Sequence, residues 1–254
     1  MRRGEREKNN KASATPRVPA HAMLPRMQHS HRVLVVVLAC AIAPLARAQD
    51  LMTRLSQAAP ELDRKVLALA LQARDCAVAS GKSHAPARLA VIDYTRPSTQ
   101  KRLWVFDIGS GRLLYAEHVA HGRGSGDNMA MRFSNIEGTY QSSLGLFATA
   151  ETYTGENGYS LRMDGLEPGI NDRARERLLV MHGANYVDPQ QALRQGRLGR
   201  SWGCPAVRTQ VAHGVIDSLK DGQLIFAYAD DATWLNGSRF LQCAKPERKA
   251  GAGH

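Results

Sequence analysis

The segment Leu103–Ile108, Gly109-Ser110-Gly111, Leu113–Val119 constrains the fold more than any other stretch of the chain. β-branched and aromatic residues fill both arms and a glycine-rich turn separates them, so the chain doubles back as a β-hairpin. An isolated hairpin cannot bury its own face, so further strands must join it. Leu89–Tyr94 and Leu224–Tyr228 are apolar runs of strand length, and Leu178–Met181 reads as a buried strand delivering His182 at its C-terminal end. Residues 121–172 are dense in Gly, Ser, Asn and Thr; they read as loops and short strands around a cleft, with strand candidates at Gly138–Gln141 and Phe147–Thr152. Helical spacing is confined to three places. Leu62, Val66, Leu69 and Ala73 recur at three- and four-residue steps within 60–80, closed by Gly81. Asp188-Pro189 opens a short helix through Gln195 that Gly196 stops, and Arg208–Lys220 carries Val211, Val215 and Leu219 on one face. The pattern predicts an α+β fold, a mostly antiparallel sheet or sandwich with peripheral helices, in one domain over 49–244.

The N-terminus is organised differently. Arg26 and Arg32 flank the start of the apolar run Val33–Ala43, and Ala46-Arg47-Ala48 follows. A basic segment, a short apolar segment and a small-x-small site form a secretory signal, cut after Ala48. The run is short for a membrane span. Residues 1–22 are polar and unpatterned, and Met23 or Met27 would make a more usual start. A weaker reading takes Val37-Leu38-Ala39-Cys40 as a lipoprotein box, against which the apolar run continues past Cys40. The leader also holds most of the charge. It carries nine Lys/Arg against two Glu, so removing its +7 from the +11 of the whole chain leaves +4. A mildly basic exported protein suits an anionic cell envelope, whereas the mature part has no basic run interleaved with aromatics of the kind that binds nucleic acid. Residues 245–254 read as a disordered tail.

Three cysteines follow the leader: Cys76, Cys204 and Cys243. In an oxidising compartment an odd count implies one pair and one free thiol; if Cys204 is free, Cys76 pairs with Cys243. The alternative is three reduced, buried thiols. The chemistry concentrates at Arg200-Ser201-Trp202-Gly203-Cys204-Pro205-Ala206, with Met181-His182-Gly183-Ala184 upstream. A thiol becomes a nucleophile as the thiolate, which needs a base or a positive local field, and His182 is the candidate base. Gly203 allows close backbone approach to a substrate carbonyl. Pro205 suits the first position of a helix, which would set Cys204 at a helix N-terminus, where backbone N–H groups favour an anion. A zinc site of His121, His182 and Cys204 is the competing reading, but their spacing matches no short ligand motif.

The order His-Gly-Ala, then Ser-Trp-Gly-Cys-Pro-Ala, in an exported β-rich chain resembles the YkuD-type murein L,D-transpeptidase catalytic domain family. The resemblance runs over roughly 60–240 and includes Lys101-Arg102-Leu103-Trp104-Val105-Phe106-Asp107, Val119-Ala120-His121-Gly122-Arg123-Gly124-Ser125-Gly126 and Phe133-Ser134-Asn135-Ile136-Glu137-Gly138-Thr139-Tyr140. It implies a Cys204 nucleophile, a His182 base and no cofactor. The backbone N–H groups of Gly203 and Cys204 would hold the oxyanion, with Ser201 opening the motif. The substrate it implies is a peptidoglycan stem peptide, joined through a thioester to the amine of a second stem by a monomeric, periplasmic enzyme. Two positions depart from the family pattern. Trp202 stands where a histidine is usual, and Ala206 where an Arg or Asn is usual. His121 is the candidate to supply the missing imidazole, or else a surface histidine of a flexible loop; Arg200 or Arg208 would hold a substrate carboxylate, Trp202 would anchor packing or wall the cleft, and Asn135 would line the donor groove or build a turn. Within the same chemistry, hydrolysis of the thioester would make an L,D-carboxypeptidase or an amide hydrolase on the same stems, and the missing histidine admits a non-catalytic wall-binding module.

Overall fold

The computed structural model describes residues 50–243; the signal segment and the 245–254 tail lie outside them. A helix over 50–58 (α1) leads into α2 (Arg64–Ala79), then β1 (Arg88–Asp93), β2 (Leu103–Asp107), β3 (Arg112–Glu117), β4 (Val119–Ala120), β5 (Gly145–Gly155), β6 (Gly158–Gly165) and β7 (Val180–Gly183). There follow α3 (Pro189–Gln195), β8 (Ala206–Val207), α4 (Thr209–Leu219), β9 (Leu224–Tyr228) and α5 (Ala232–Gly237). All nine strands form one sheet in the order β3-β2-β1-β9-β5-β6-β7-β8-β4. Its two edges, β3 and β4, are separated in sequence by His118 alone, so the sheet curls until it nearly closes on itself.

The expected α+β class, with a mostly antiparallel sheet and peripheral helices, holds in its coarse form. Of the two expected arrangements, sheet or sandwich, the described residues form a single curled sheet. Two of its pairs, β1–β9 and β7–β8, are parallel, while the other neighbours are antiparallel. The β7–β8 pair is parallel because the chain crosses between them through α3, and α4, which joins β8 to β9, packs on β7, β6 and β1.

The buried centre consists of β1, β2 and β9, whose Leu89–Ile92, Leu103–Phe106 and Leu224–Phe226 are almost wholly shielded from solvent. Such two-sided burial explains why these segments are apolar runs rather than alternations. On one side α2 buries Val66, Leu67, Ala70, Ala73 and Ala77. Its start is set by Asp63, whose carboxylate accepts from the N–H groups of Lys65 and Val66 at 2.6 and 3.3 Å. A smaller cluster, Ala120, Ala184, Val187, Ala192, Leu198 and Ala206, lies under α3. That helix begins at Pro189 after the Asp188 cap and ends at Gly196, which has φ +77°.

Two local expectations need correction, and a third holds within a longer element. Gly138–Gln141 is irregular, not a strand, and its Tyr140 takes φ +55°. Strand β7 starts at Val180, because Leu178 sits at φ +54°, outside extended geometry. The expected strand at Phe147–Thr152 is one arm of a long hairpin, β5–β6, that turns at Glu156-Asn157 between the paired Gly155 and Gly158.

Cys76 on α2 and Cys243 are joined by a disulfide, with their Cα atoms 5.9 Å apart. The bridge spans 167 residues of sequence and ties α2 to the segment after α5. For a loop of that length the chain-entropy model puts the effect near an upper bound of about 5 kcal/mol. Replacing both cysteines by serine is therefore expected to lower the unfolding free energy by about 2–4 kcal/mol in chemical denaturation. An unchanged midpoint would show that the closed loop contributes nothing.

Candidate active site

Strand β7 and the 200–207 segment meet side by side, with His182 in register with Ala206 and Gly183 with Val207. Consequently the thiol of Cys204 lies against the start of β7. Its sulfur accepts from the Val180 N–H at 3.4 Å and approaches the Leu178 carbonyl at 3.7 Å. Cys204 is a free, partly exposed thiol. Burial of the sulfur pushes it above the ordinary thiol range, offset in part by the Val180 N–H, the Arg177 guanidinium and its own N–H. The expected helix N-terminus is absent. Pro205 leads into β8 and α4 begins only at Thr209, so no helix dipole supports the thiolate.

His182 is buried, at 4% exposure. Its Nδ1 lies 3.1 Å from the Gly183 carbonyl oxygen. A carbonyl only accepts, so Nδ1 carries the proton and Nε2 presents its lone pair, the form a general base needs. Burial lowers the His182 pKa, with the Gly183 contact opposing, and the ring stays neutral at neutral pH. Its hydrogen bond runs to the backbone rather than to the Cys204 sulfur.

The loop that carries Cys204 is held from both sides. Ser201 donates from Oγ to the Cys204 carbonyl at 2.6 Å and accepts from the Gly203 N–H at 3.1 Å. That bond commits the Gly203 N–H, correcting its expected role as an oxyanion donor. Ser142 accepts from the Gly122 N–H at 3.0 Å and donates to the Gly203 carbonyl at 2.9 Å. The Ser201 N–H in turn donates to the His121 carbonyl at 3.0 Å. Gly122 and Gly203 pass so closely that a Cβ on Gly122 would stand 2.2 Å from the Tyr140 carbonyl oxygen and 2.7 Å from the Gly203 Cα.

His121 does not offer an imidazole to the cleft. It is completely buried, with Nδ1 accepting from Arg102 at 2.7 Å and Nε2 facing the Gly126 carbonyl at 3.3 Å. Burial and the adjacent guanidinium push it down to about 3, so it stays neutral as a scaffold. Arg102 is itself fully buried, spanning the carbonyls of Val119 and Arg96 and lying 5.2 Å from the Tyr94 ring centroid. With both nitrogens of His121 engaged, a zinc set of His121, His182 and Cys204 does not form. Among the described residues no cluster of three or more His, Cys, Asp or Glu is placed to hold a metal ion.

The other expected ligands are also engaged. Arg208 makes a two-pronged ion pair with Glu117 at 2.6 and 2.9 Å. Arg200 binds the Gly126 carbonyl and Asp127. Asn135 bridges Asp172 and the Arg173 N–H, so it fastens one loop to another. Trp202 is 70% exposed and lies 5.8 Å from the Tyr140 ring, with the Arg123 guanidinium 4.1 Å over Tyr140 and 5.8 Å over Trp202.

The family profile of the L,D-transpeptidase catalytic domain matches residues 58–228, two thirds of the chain and all nine strands. The chain belongs to the L,D-transpeptidase catalytic domain family. No curated protein matches it. Among solved structures it is similar to an L,D-transpeptidase from Mycobacterium smegmatis, at 15% identity and a TM-score of 0.34, covering 56% of this chain and 59% of that one. It is also similar to an L,D-transpeptidase from Stackebrandtia nassauensis, at 14% and 0.34, covering 65% and 68%. A third is the helical cell shape determining protein from Campylobacter jejuni, at 14% and 0.38, covering 57% and 48%. The chain thus spans about six-tenths of the first of these, and the family statement rests on the profile alone.

In this L,D-transpeptidase domain the two departures from the usual motif have different consequences. Ala206 is buried within β8, where no charged side chain would fit without rebuilding the smaller core. Trp202 projects outward beside Tyr140 and Arg123, two residues the sequence reading did not single out. Arg177 was missed as well: it lies in a run of arginines and acids with no spacing that separates a site residue from a solvated one. Gly122→Ala should destabilise the domain by more than about 1–3 kcal/mol, because the clash is with backbone, whereas Gly237→Ala, open within 4 Å, should be near neutral. Equal melting temperatures for the two variants would refute the close-packing argument.

Proposed function

We propose that the chain is an exported cysteine acyltransferase that performs L,D-transpeptidation on peptidoglycan stem peptides, with Cys204 as nucleophile and His182 as base. The observation that carries the reading is the family match together with the register of β7 on β8, which brings the Cys204 sulfur to the strand that bears His182.

In the proposed reaction the Cys204 sulfur attacks the carbonyl carbon of the L-to-D bond as His182 Nε2 takes the thiol proton. The C–S bond forms, the C–N bond breaks, and the leaving D-amino acid takes the proton from His182. The amine of a second stem then attacks the thioester, losing a proton to His182. A new C–N bond replaces the C–S bond, and Cys204 recovers its proton. The Cys204 N–H remains to meet the oxyanion, since the Gly203 N–H is spent on Ser201. Trp202, Tyr140 and Arg123 form the cleft wall beside the donor stem, and Ser201 positions the loop. The domain acts as a monomer on the periplasmic side of the envelope. Among the described residues no helix is long and apolar enough to cross a membrane.

Muropeptide analysis of the purified protein on disaccharide-tetrapeptides tests the reading. New cross-linked dimers are expected from the wild type, a loss of about 10²–10⁴-fold from His182→Ala, and none from Cys204→Ala. Because burial lowers the His182 pKa, the acid limb of the wild-type profile should fall below the ordinary histidine value of about 6.5. Tripeptides without dimers would replace transfer by hydrolysis. No product of either kind would favour the wall-binding module.

A further inference from the structure

We propose that Arg177 is the fixed positive charge that stabilises the Cys204 thiolate, acting from the turn before β7 in place of the helix N-terminus that the fold does not supply. The proposal rests on Cys204 being the reactive thiol.

Its first support is placement. Arg177 immediately precedes Leu178, whose carbonyl the Cys204 sulfur approaches, and lies three residues before Val180, whose N–H donates to that sulfur. The second is rigidity. The half-buried guanidinium donates to the carbonyls of Ser134 and Gln141 and to the Ser143 hydroxyl. The Gln141 carbonyl in turn lies 3.0 Å from where a Cβ on Gly203 would stand, so the guanidinium is keyed into the loop that carries the nucleophile.

The third support is that this charge is not tied up in an ion pair. Its neighbours Arg173 and Arg175 are paired, with Glu176 and with Asp164 and Glu151 respectively. The hydrogen bonds of Arg177 all end on neutral oxygens, and none of the ion pairs among the described residues includes it. Arg173 and Glu137 face it with opposite signs. Around the sulfur, Tyr94 and Tyr186 are held neutral by burial, and burial keeps His182 neutral as well. Arg177 is therefore the cation that a forming thiolate meets, and it draws the Cys204 thiol down against the effect of burial. A charge in partly desolvated surroundings acts more strongly than one in water.

The test is the pH dependence of Cys204 alkylation by iodoacetamide, located by peptide mapping. Arg177→Gln should move the midpoint upward by about one unit, which makes alkylation about tenfold slower at any pH below it. Arg177→Lys, which keeps the charge, and Ser143→Ala, which removes one hydrogen bond to it, should both stay within about threefold of wild type. If the glutamine variant is not folded by circular dichroism, Arg177→Met takes its place. A profile for the neutral variant that superimposes on wild type would overturn the proposal. So would an equal slowing in Arg177→Lys or Ser143→Ala, which would make the role one of packing. Alkylation reports the thiolate whether or not acyl groups are transferred, so a protein inactive on muropeptides would sink the proposed function and leave this result standing.

Discussion

One hydroxyl joins the elements that make the site. Ser142 accepts from the Gly122 N–H and donates to the Gly203 carbonyl, and so ties three distant segments at one point. The first follows β4, the second precedes β5, and the third carries Cys204. The bond is buried, so its loss would leave two polar groups unsatisfied. It works because Gly122 lacks a side chain, since a Cβ there would run into the Gly203 backbone, and the two backbones can then approach within the reach of a single hydroxyl. Ser201 repeats the device within the Cys204 loop. Both serines hold backbone, and the position of Cys204 follows from them.

The curled sheet makes this convergence possible. Since β3 and β4 are consecutive yet occupy opposite edges, the hairpin that starts the sheet also ends it, and β4 returns beside β8. The loop after β4 thereby reaches the Cys204 loop, and Gly122 and Ser201 form a bridge there. Beneath it lies a buried cation, Arg102, held by backbone carbonyls and by His121. Buried charges of this kind are expensive and are tolerated where every donor is satisfied. Burial pushes Arg102 down to about 10, still far above neutrality, so the charge persists.

Much of this was legible in the chain. The apolar runs of β1, β2 and β9 are visible because they are buried on both faces, and α3 because Pro189 and Gly196 mark its ends. The β5–β6 hairpin was read only in part. Its Gly-Glu-Asn-Gly turn carried the signal, but the surrounding polar residues suggested loops, and its strands are half exposed. The helix expected after Pro205 failed because that proline is followed by a strand pairing with both β4 and β7. His121 and Arg177 show the limit most plainly. Their residue types announce a cleft histidine and a solvated arginine, yet pairing across the fold buries the first as scaffold and holds the second on the Ser134 and Gln141 carbonyls. Neither placement has a local sequence signature.

The central claim is that Cys204 forms the acyl-enzyme. Intact-protein mass spectrometry after incubation with a carbapenem, a thiol-reactive β-lactam, tests it most directly when followed by peptide mapping. The account predicts a single adduct on the wild type, located on the peptide containing Cys204, and none on Cys204→Ala. An adduct that persists in Cys204→Ala, or a wild-type protein that stays unmodified while its Cys204 thiol is free, would contradict it.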